Sequence, residues 1–304
     1  VSELILNALR GLLSPGDEVL VPSPDYPLWT AAVNLNGGTA VHYPCPETNG
    51  FQPDLAALEK LITARTRALV IISPNNPTGA VYPRATLAAL AHLAEQRGLV
   101  VFSDEIYDQI TYDGAVHVPM ATLVKKTLCV SFGGLSKVYR ACGWRVGWMV
   151  FSGDRSGAGD YLMELDKLAS LRLCANVPGQ WAVPTALGGE QSILALTRPG
   201  GRLYQTRRAV IAGLQASKHL EAVTPQGAIY VFVRVKSGGA QFDDQRFALD
   251  LLERKQVLVT PGRGFNVPYR DHFRITLLPD EQVMGEVFRR IEELLGESSS
   301  SSAF

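Results

Sequence analysis

Lys137 ends the run Ser131-Phe-Gly-Gly-Leu-Ser-Lys137, just behind the apolar stretch 128–132, and Arg145 follows eight residues later. A primary amine on the loop after a strand can condense with an aldehyde, and a guanidinium within the same reach can fork onto an anionic group. Pyridoxal phosphate carries both groups on one molecule, so the pair suggests that cofactor. A solvated surface lysine and a surface salt bridge are the plain alternatives for the two side chains.

Other motifs supply the remaining chemistry. Ser103-Asp-Glu-Ile-Tyr-Asp108 follows the apolar run 99–102. A carboxylate at Asp104 can pair with a protonated pyridine nitrogen and make the ring a better electron sink. Tyr107 can set its hydroxyl against the ring's phenolic oxygen. A helix N-cap at Asp104 and a packed aromatic at Tyr107 are the alternatives. Ser73-Pro-Asn-Asn-Pro-Thr-Gly79 closes the run 68–73 and brings Asn76 to a strand's carboxyl end; a plain turn would use the same residues. Tyr26, in Pro24-Asp-Tyr-Pro-Leu-Trp29, can stack on a ring or pack its own turn, and Trp29 reads as core. Arg274 lies on an expected buried strand, 272–276, where an unpaired guanidinium is costly. Either a substrate carboxylate or an internal Asp or Glu would satisfy it. Ser2 and Glu3 open an amphipathic helix, 2–13, and would offer free amides and a positive helix end to a phosphate. Once a substrate amine has displaced it, Lys137 can also move a proton between the substrate α-carbon and the cofactor.

These residues must be placed by strands that alternate with helices. Strands are expected at 18–21, 40–43, 68–73, 100–103, 128–132 and 146–151, with helices at 29–35, 54–61 and 84–97 between them. Several of the strands are uninterrupted apolar runs, as in a mostly parallel sheet covered on both faces. The fold class is therefore α/β, with the chemistry at the carboxyl ends of the strands. Helical segments at 160–173 and 184–196 lead to the turn Arg198-Pro-Gly-Gly201, where a smaller α+β unit is expected to begin with a helix reaching Leu214. It would hold strands near 228–235, 257–260 and 272–276 and a helix over 280–295. The expected division is 1–200 as the large cofactor-binding domain, 201–297 as the small one, and 298–304 as a disordered serine-rich tail. The chain opens at Val1 inside a helix, so further residues are expected to precede it.

Composition narrows the partners. The 304 residues are 46% hydrophobic, enough for a large core, and their 29 basic and 29 acidic residues cancel. With no basic stripe, there is no electrostatic case for nucleic acid or an anionic membrane, and no apolar run reaches membrane-spanning length. A small-molecule partner remains. Cys45, Cys129, Cys142 and Cys174 are widely spaced, three of them in apolar surroundings, which suits reduced core thiols and a cytoplasmic setting. The five histidines lack metal-ligand spacing, so no metal is expected.

Taken together, Asn75-Asn-Pro-Thr-Gly79, Asp104 with Tyr107, Lys137 with Arg145, and Arg274 resemble the pyridoxal-phosphate aminotransferases of fold type I, class I/II, in order and spacing over nearly the whole chain. Within that family the segments 24–32, 171–178 and 199–204 look like the bacterial glutamate–pyruvate (alanine) aminotransferases. The resemblance implies that Lys137 forms the Schiff base, Asp104 pairs with the pyridine nitrogen, and Tyr107 and Asn76 hold the ring oxygen. It also implies that Tyr26 stacks, that Ser2, Glu3, Ser136 and Arg145 hold phosphate, and that Arg274, with Asn76, binds substrate. The implied reaction converts L-alanine and 2-oxoglutarate to pyruvate and L-glutamate, in a homodimer with active sites at the subunit interface. Two departures stand out. Gly134 occupies a position where many relatives have a phosphate-binding Ser, which shifts that contact to Ser136 or backbone amides, and the family's N-terminal segment is not in this sequence. Aromatic or other amino-acid transamination, lyase chemistry, and a sensor module of a transcription regulator are the alternative uses of the same scaffold.

Overall fold

The computed structural model describes residues 1–299; residues 300–304, most of the expected serine-rich tail, lie outside the described residues. The chain runs through α1 (Ser2–Leu12), β1 (Glu18–Ser23), α2 (Leu28–Leu35), β2 (Thr39–Pro44), α3 (Leu55–Lys60), β3 (Thr66–Ile72), α4 (Arg84–Arg97), β4 (Val100–Asp104), β5 (Leu128–Gly134) and β6 (Gly147–Gly153). The strands form one sheet in the order β2-β1-β3-β4-β5-β6. All neighbours are parallel except β6, which returns antiparallel beside β5.

The apolar runs lack polar alternation because both faces of the sheet are covered. Val19 and Val21 point into one core with Trp29 and Phe102, while Leu20 between them joins the opposite core with Leu90 and Val101. Period-two geometry thus feeds two cores from one strand. Asp54 caps α3 by accepting the Ala57 amide at 3.0 Å, and α4 stops at Gly98, whose φ of 63° suits a residue without Cβ. The strand order reverses between β1 and β3, and a crevice opens there beyond the carboxyl ends.

After β6 come α5 (Gly159–Arg172) and three short helices, α6 (Val177–Gln180), α7 (Ala182–Gly188) and α8 (Ile193–Thr197). The single helix expected over 184–196 is broken because Gly189 adopts an extended backbone, φ −88° and ψ −169°. Then α9 (Arg202–Ala216), β7 (Leu220–Ala222), β8 (Tyr230–Val235), α10 (Asp244–Lys255), β9 (Thr260–Pro261), β10 (His272–Thr276) and α11 (Glu281–Ser299) build a second, antiparallel sheet, β7-β8-β10-β9, with its own apolar core. Helix α10 and strand β7 are absent from the sequence reading. The strand expected at 257–260 shrinks to a two-residue pairing against Phe273 and Arg274. Helix α11 reaches Ser299, two residues into the expected tail.

All four cysteines are free thiols, but only Cys45 and Cys129 are buried; Cys142 and Cys174 are exposed, one fewer core thiol than expected. Burial pushes the Cys45 thiol up to about 12 and Cys129 to about 11. Among the described residues no helix is long and apolar enough to cross a membrane, and no cluster of side chains has the makings of a metal site.

Candidate active site

A cavity of about 310 Å³ opens at the carboxyl ends of β3, β4 and β5, and every expected site residue except Glu3 lines it. Asp104 is the last residue of β4 and is almost fully buried. Its carboxylate accepts the Trp29 indole N–H at 3.1 Å and the Ile106 amide at 3.3 Å. No helix follows it, so the N-cap alternative fails: residues 106–109 form a turn. No cation pairs with this carboxylate among the described side chains, and burial pushes its pKa up, with Trp29 and Ile106 pulling it partly back.

Tyr107, buried on that turn, places its hydroxyl 3.0 Å from that of Tyr230 and meets the Tyr230 ring edge-on at 5.8 Å. Burial, reinforced by Tyr230, pushes the Tyr107 phenol well above its ordinary value, so it stays a proton donor. The packed-aromatic alternative thus describes Tyr107 here, and Tyr107 also lines the cavity.

The loop after β3 is set by Asn75, whose side-chain oxygen accepts the Thr78 amide at 3.2 Å and hydroxyl at 2.8 Å. That turn presents Asn76, whose Oδ1 accepts from Arg274 Nη1 at 2.9 Å and whose Nδ2 remains to donate. Arg274 Nη2 donates to the Thr260 hydroxyl at 3.2 Å, while its buried Nε has no partner. The guanidinium lies 4.3 Å from the Tyr230 ring centre and 5.0 Å from that of Phe265. Among the described residues no carboxylate pairs with it, which speaks against the internal-pair alternative, and burial pulls its pKa down.

Lys137 follows β5, half-buried, with Nζ 6.0 Å from the Tyr107 ring centre and no acceptor bound among the described residues. Arg145 sits at the rim with a φ of 55°, a conformation that costs a non-glycine residue about 1 kcal/mol and is held here by the bond from Nη1 to the Cys142 carbonyl at 2.8 Å. It makes no salt bridge among the described residues, contrary to its surface alternative. At Gly134 a Cβ would stand 2.9 Å from the Val146 carbonyl oxygen, so the close β5–β6 approach favours glycine there.

The exposed Glu3 side chain pairs with Arg172 Nε at 2.5 Å, which leaves only its backbone amide for the part the sequence reading gave it. Ser2 does line the cavity, and the first intrahelical bond of α1 runs from Ile5 N to Val1 O, leaving the first-turn amides open. The sequence reading missed Tyr230 altogether, and it missed that Trp29, core as expected, also fixes Asp104. An aromatic at the start of a strand after Gly227-Ala-Ile was the sole signal for Tyr230.

The profile of aminotransferase class I and II matches residues 1–291. The chain belongs to the class I and II aminotransferases. It is 50% identical over 280 residues to the glutamate-pyruvate aminotransferase AlaA of Escherichia coli, covering 92% of this chain and 69% of that protein. It is 47% identical over 296 residues to the alanine aminotransferase of Mycobacterium tuberculosis, covering 97% and 69%. A crystal structure of an aminotransferase from Escherichia coli superposes with a TM-score of 0.94 at 47% identity, over 97% of this chain and 73% of that one. Aminotransferases of this class depend on pyridoxal phosphate, and the donor set of the cavity suits that molecule: among the described residues, an amine with no acceptor, a buried carboxylate with no side-chain cation, and a rim guanidinium with no salt bridge.

Proposed function

We propose that this aminotransferase takes the amino group of L-alanine and delivers it to 2-oxoglutarate, releasing pyruvate and L-glutamate. The observation that carries the reading is the juxtaposition, in one cavity, of the unbound Lys137 amine and an Arg274 whose buried Nε lacks a partner, in a chain about half identical to named glutamate–pyruvate enzymes. Those names favour alanine over the aromatic donors that the sequence left open.

When bound, pyridoxal phosphate supplies an electron-poor ring that takes up the electron pair left at the substrate α-carbon. Lys137 Nζ would hold the aldehyde carbon and, when free, would move the α-proton. The Asp104 carboxylate would keep the ring nitrogen protonated. The Tyr107 hydroxyl and Asn76 Nδ2 would hold the ring oxygen, and Tyr26 would cover the ring face. Arg145, Ser136 and the first-turn amides at Ser2 and Glu3 would hold the phosphate. Arg274 holds the substrate carboxylate, and the same contact orients Asn76.

The division at residue 200 into a cofactor-binding unit and a smaller unit belongs to this reading, supported by an apolar core built wholly from residues between Val210 and Leu295. So does a homodimer, supported by the exposed apolar residues Val150, Leu173 and Leu187 lining the outer groove beside α1. A cytoplasmic setting agrees with the four free thiols.

The test is a single-turnover reaction. Protein loaded with pyridoxal phosphate and given L-alanine without a keto acid should release one pyruvate per site, and Lys137→Ala should release none. Pyruvate from the Lys137→Ala protein, or turnover with L-phenylalanine but not L-alanine, defeats the reading.

A further inference from the structure

Asp25 has no exposed surface, yet it sits at the seam between the two sheets, one residue before Tyr26. Its Oδ1 accepts from Asn266 Nδ2 at 2.9 Å, and its Oδ2 accepts the Thr30 hydroxyl proton at 2.5 Å. Since Thr30 has spent its only proton, its oxygen accepts from His42 Nε2 at 2.9 Å. Two backbone bonds run alongside: Asp25 N–H donates to the Phe265 carbonyl at 3.1 Å, and the Ser23 hydroxyl donates to the Asn266 carbonyl at 2.8 Å. Asn266 adopts a φ of 54°, a conformation that Asn and Asp tolerate better than other side chains.

The bonded segments meet beside the cavity, where Tyr26, Phe265 and Arg274 line one small neighbouring pocket. On one side is Tyr26, which lines it; on the other is Phe265, whose ring packs against the Arg274 guanidinium. Buried carboxylates are costly unless their lone pairs are filled, and here the donors that fill them come from both halves of the molecule. The arrangement can keep its bonds only while the 23–30 and 262–266 segments stay in one relative position.

We propose that Asp25 and Asn266 form a latch that holds the ring-covering Tyr26 in register with the carboxylate-binding Arg274, making both of them positioning residues for the transamination reaction. The inference rests on the cofactor and substrate reading given above. It goes further in coupling the ring cover to the carboxylate grip: loosening the latch weakens cofactor and amino-acid binding together, while the chemistry at Lys137 proceeds once both are bound.

The experiment compares N266D, N266A and the reciprocal exchange D25N/N266D in the full holoprotein. It measures pyridoxal-phosphate affinity by fluorescence titration of the apo form, together with KM and kcat for L-alanine. N266D sets two carboxylates face to face, and N266A removes the donor; each should raise KM about tenfold or more and weaken cofactor binding, with kcat changed far less. The exchange restores one amide against one carboxylate and should return both constants to within about threefold of the parent. Should N266D fail to fold, N266A and the exchange still decide. Parent-like KM and cofactor affinity in N266A, or an exchange no better than N266D or N266A, overturns the latch. A parent protein that binds no pyridoxal phosphate overturns instead the functional reading beneath it.

Discussion

Arg274 gives the sharpest quantitative test. Its guanidinium has five N–H donors, of which one is spent on Asn76 and one on Thr260; Nε–H and the second hydrogens of Nη1 and Nη2 remain. A substrate carboxylate can take two of these side by side, each charge-assisted bond contributing about 1.5–3 kcal/mol net. Arg274→Ala should therefore cost about 3–6 kcal/mol of transition-state binding, roughly 10²–10⁴ in kcat/KM for L-alanine. Arg274→Lys keeps a charge but loses the planar fork and one or both neutral partners, and should fall between the parent and Arg274→Ala. The assay is stopped-flow single turnover of the cofactor-loaded protein with L-alanine, repeated with ethylamine, which has the amine but no carboxylate. Ethylamine should react slowly and at nearly the same rate with parent and variants. An equal loss toward ethylamine would show that Arg274 supports the site's shape and does not grip a carboxylate, and an unchanged kcat/KM for alanine would refute the assignment outright.

Three further outcomes follow from the same geometry. Burial raises the Asp104 carboxyl above its unfolded value, so the stability this group contributes is present at low pH and is lost as pH rises through the folded value. Asp104→Asn should flatten that part of the apoprotein's melting-temperature profile and weaken pyridoxal-phosphate binding at least about tenfold, measured by titration at neutral pH. Tyr230→Phe keeps the ring under Arg274 but removes the hydroxyl 3.0 Å from Tyr107, so kcat should drop about fivefold with KM for alanine held, a split that steady-state kinetics resolves. Gly79 has a φ of 72°, and a Cβ there would lie 2.4 Å from Pro225 Cβ and 2.8 Å from the Tyr230 carbonyl oxygen. Gly79→Ala should cost about 2–4 kcal/mol, read as a lowered urea midpoint at constant slope.

The reactive residues were legible because buried parallel strands print as uninterrupted apolar runs, and the chemistry sits on the few polar residues just past their ends. Asn76, Asp104 and Lys137 each follow such a run, and α4 spans the very residues its apolar spacing and Gly98 imply. What escaped depends on partners distant in sequence or on local caps with little apolar signature. Helix α10 is started by the Asp243 side chain, which accepts the Gln245 and Arg246 amides, a cue that is easily passed over in a polar stretch. The Tyr107–Tyr230 contact spans 123 positions and the Trp29–Asp104 bond spans 75, so neither leaves a spacing to read. The Glu3–Arg172 pair was equally illegible, because a helix start says where amides point and nothing about where a long side chain will find its cation, here on α5.

The cavity draws on residues from Ser2 to Arg274, so no short piece of chain carries an appreciable part of it. An unfolded molecule therefore offers the cofactor no equivalent site, and occupancy becomes a thermodynamic weight on the native side: each tenfold of free pyridoxal phosphate above its dissociation constant adds about 1.4 kcal/mol to the unfolding free energy. Vitamin B6 supply would then set how much of this protein persists, as well as how fast it works.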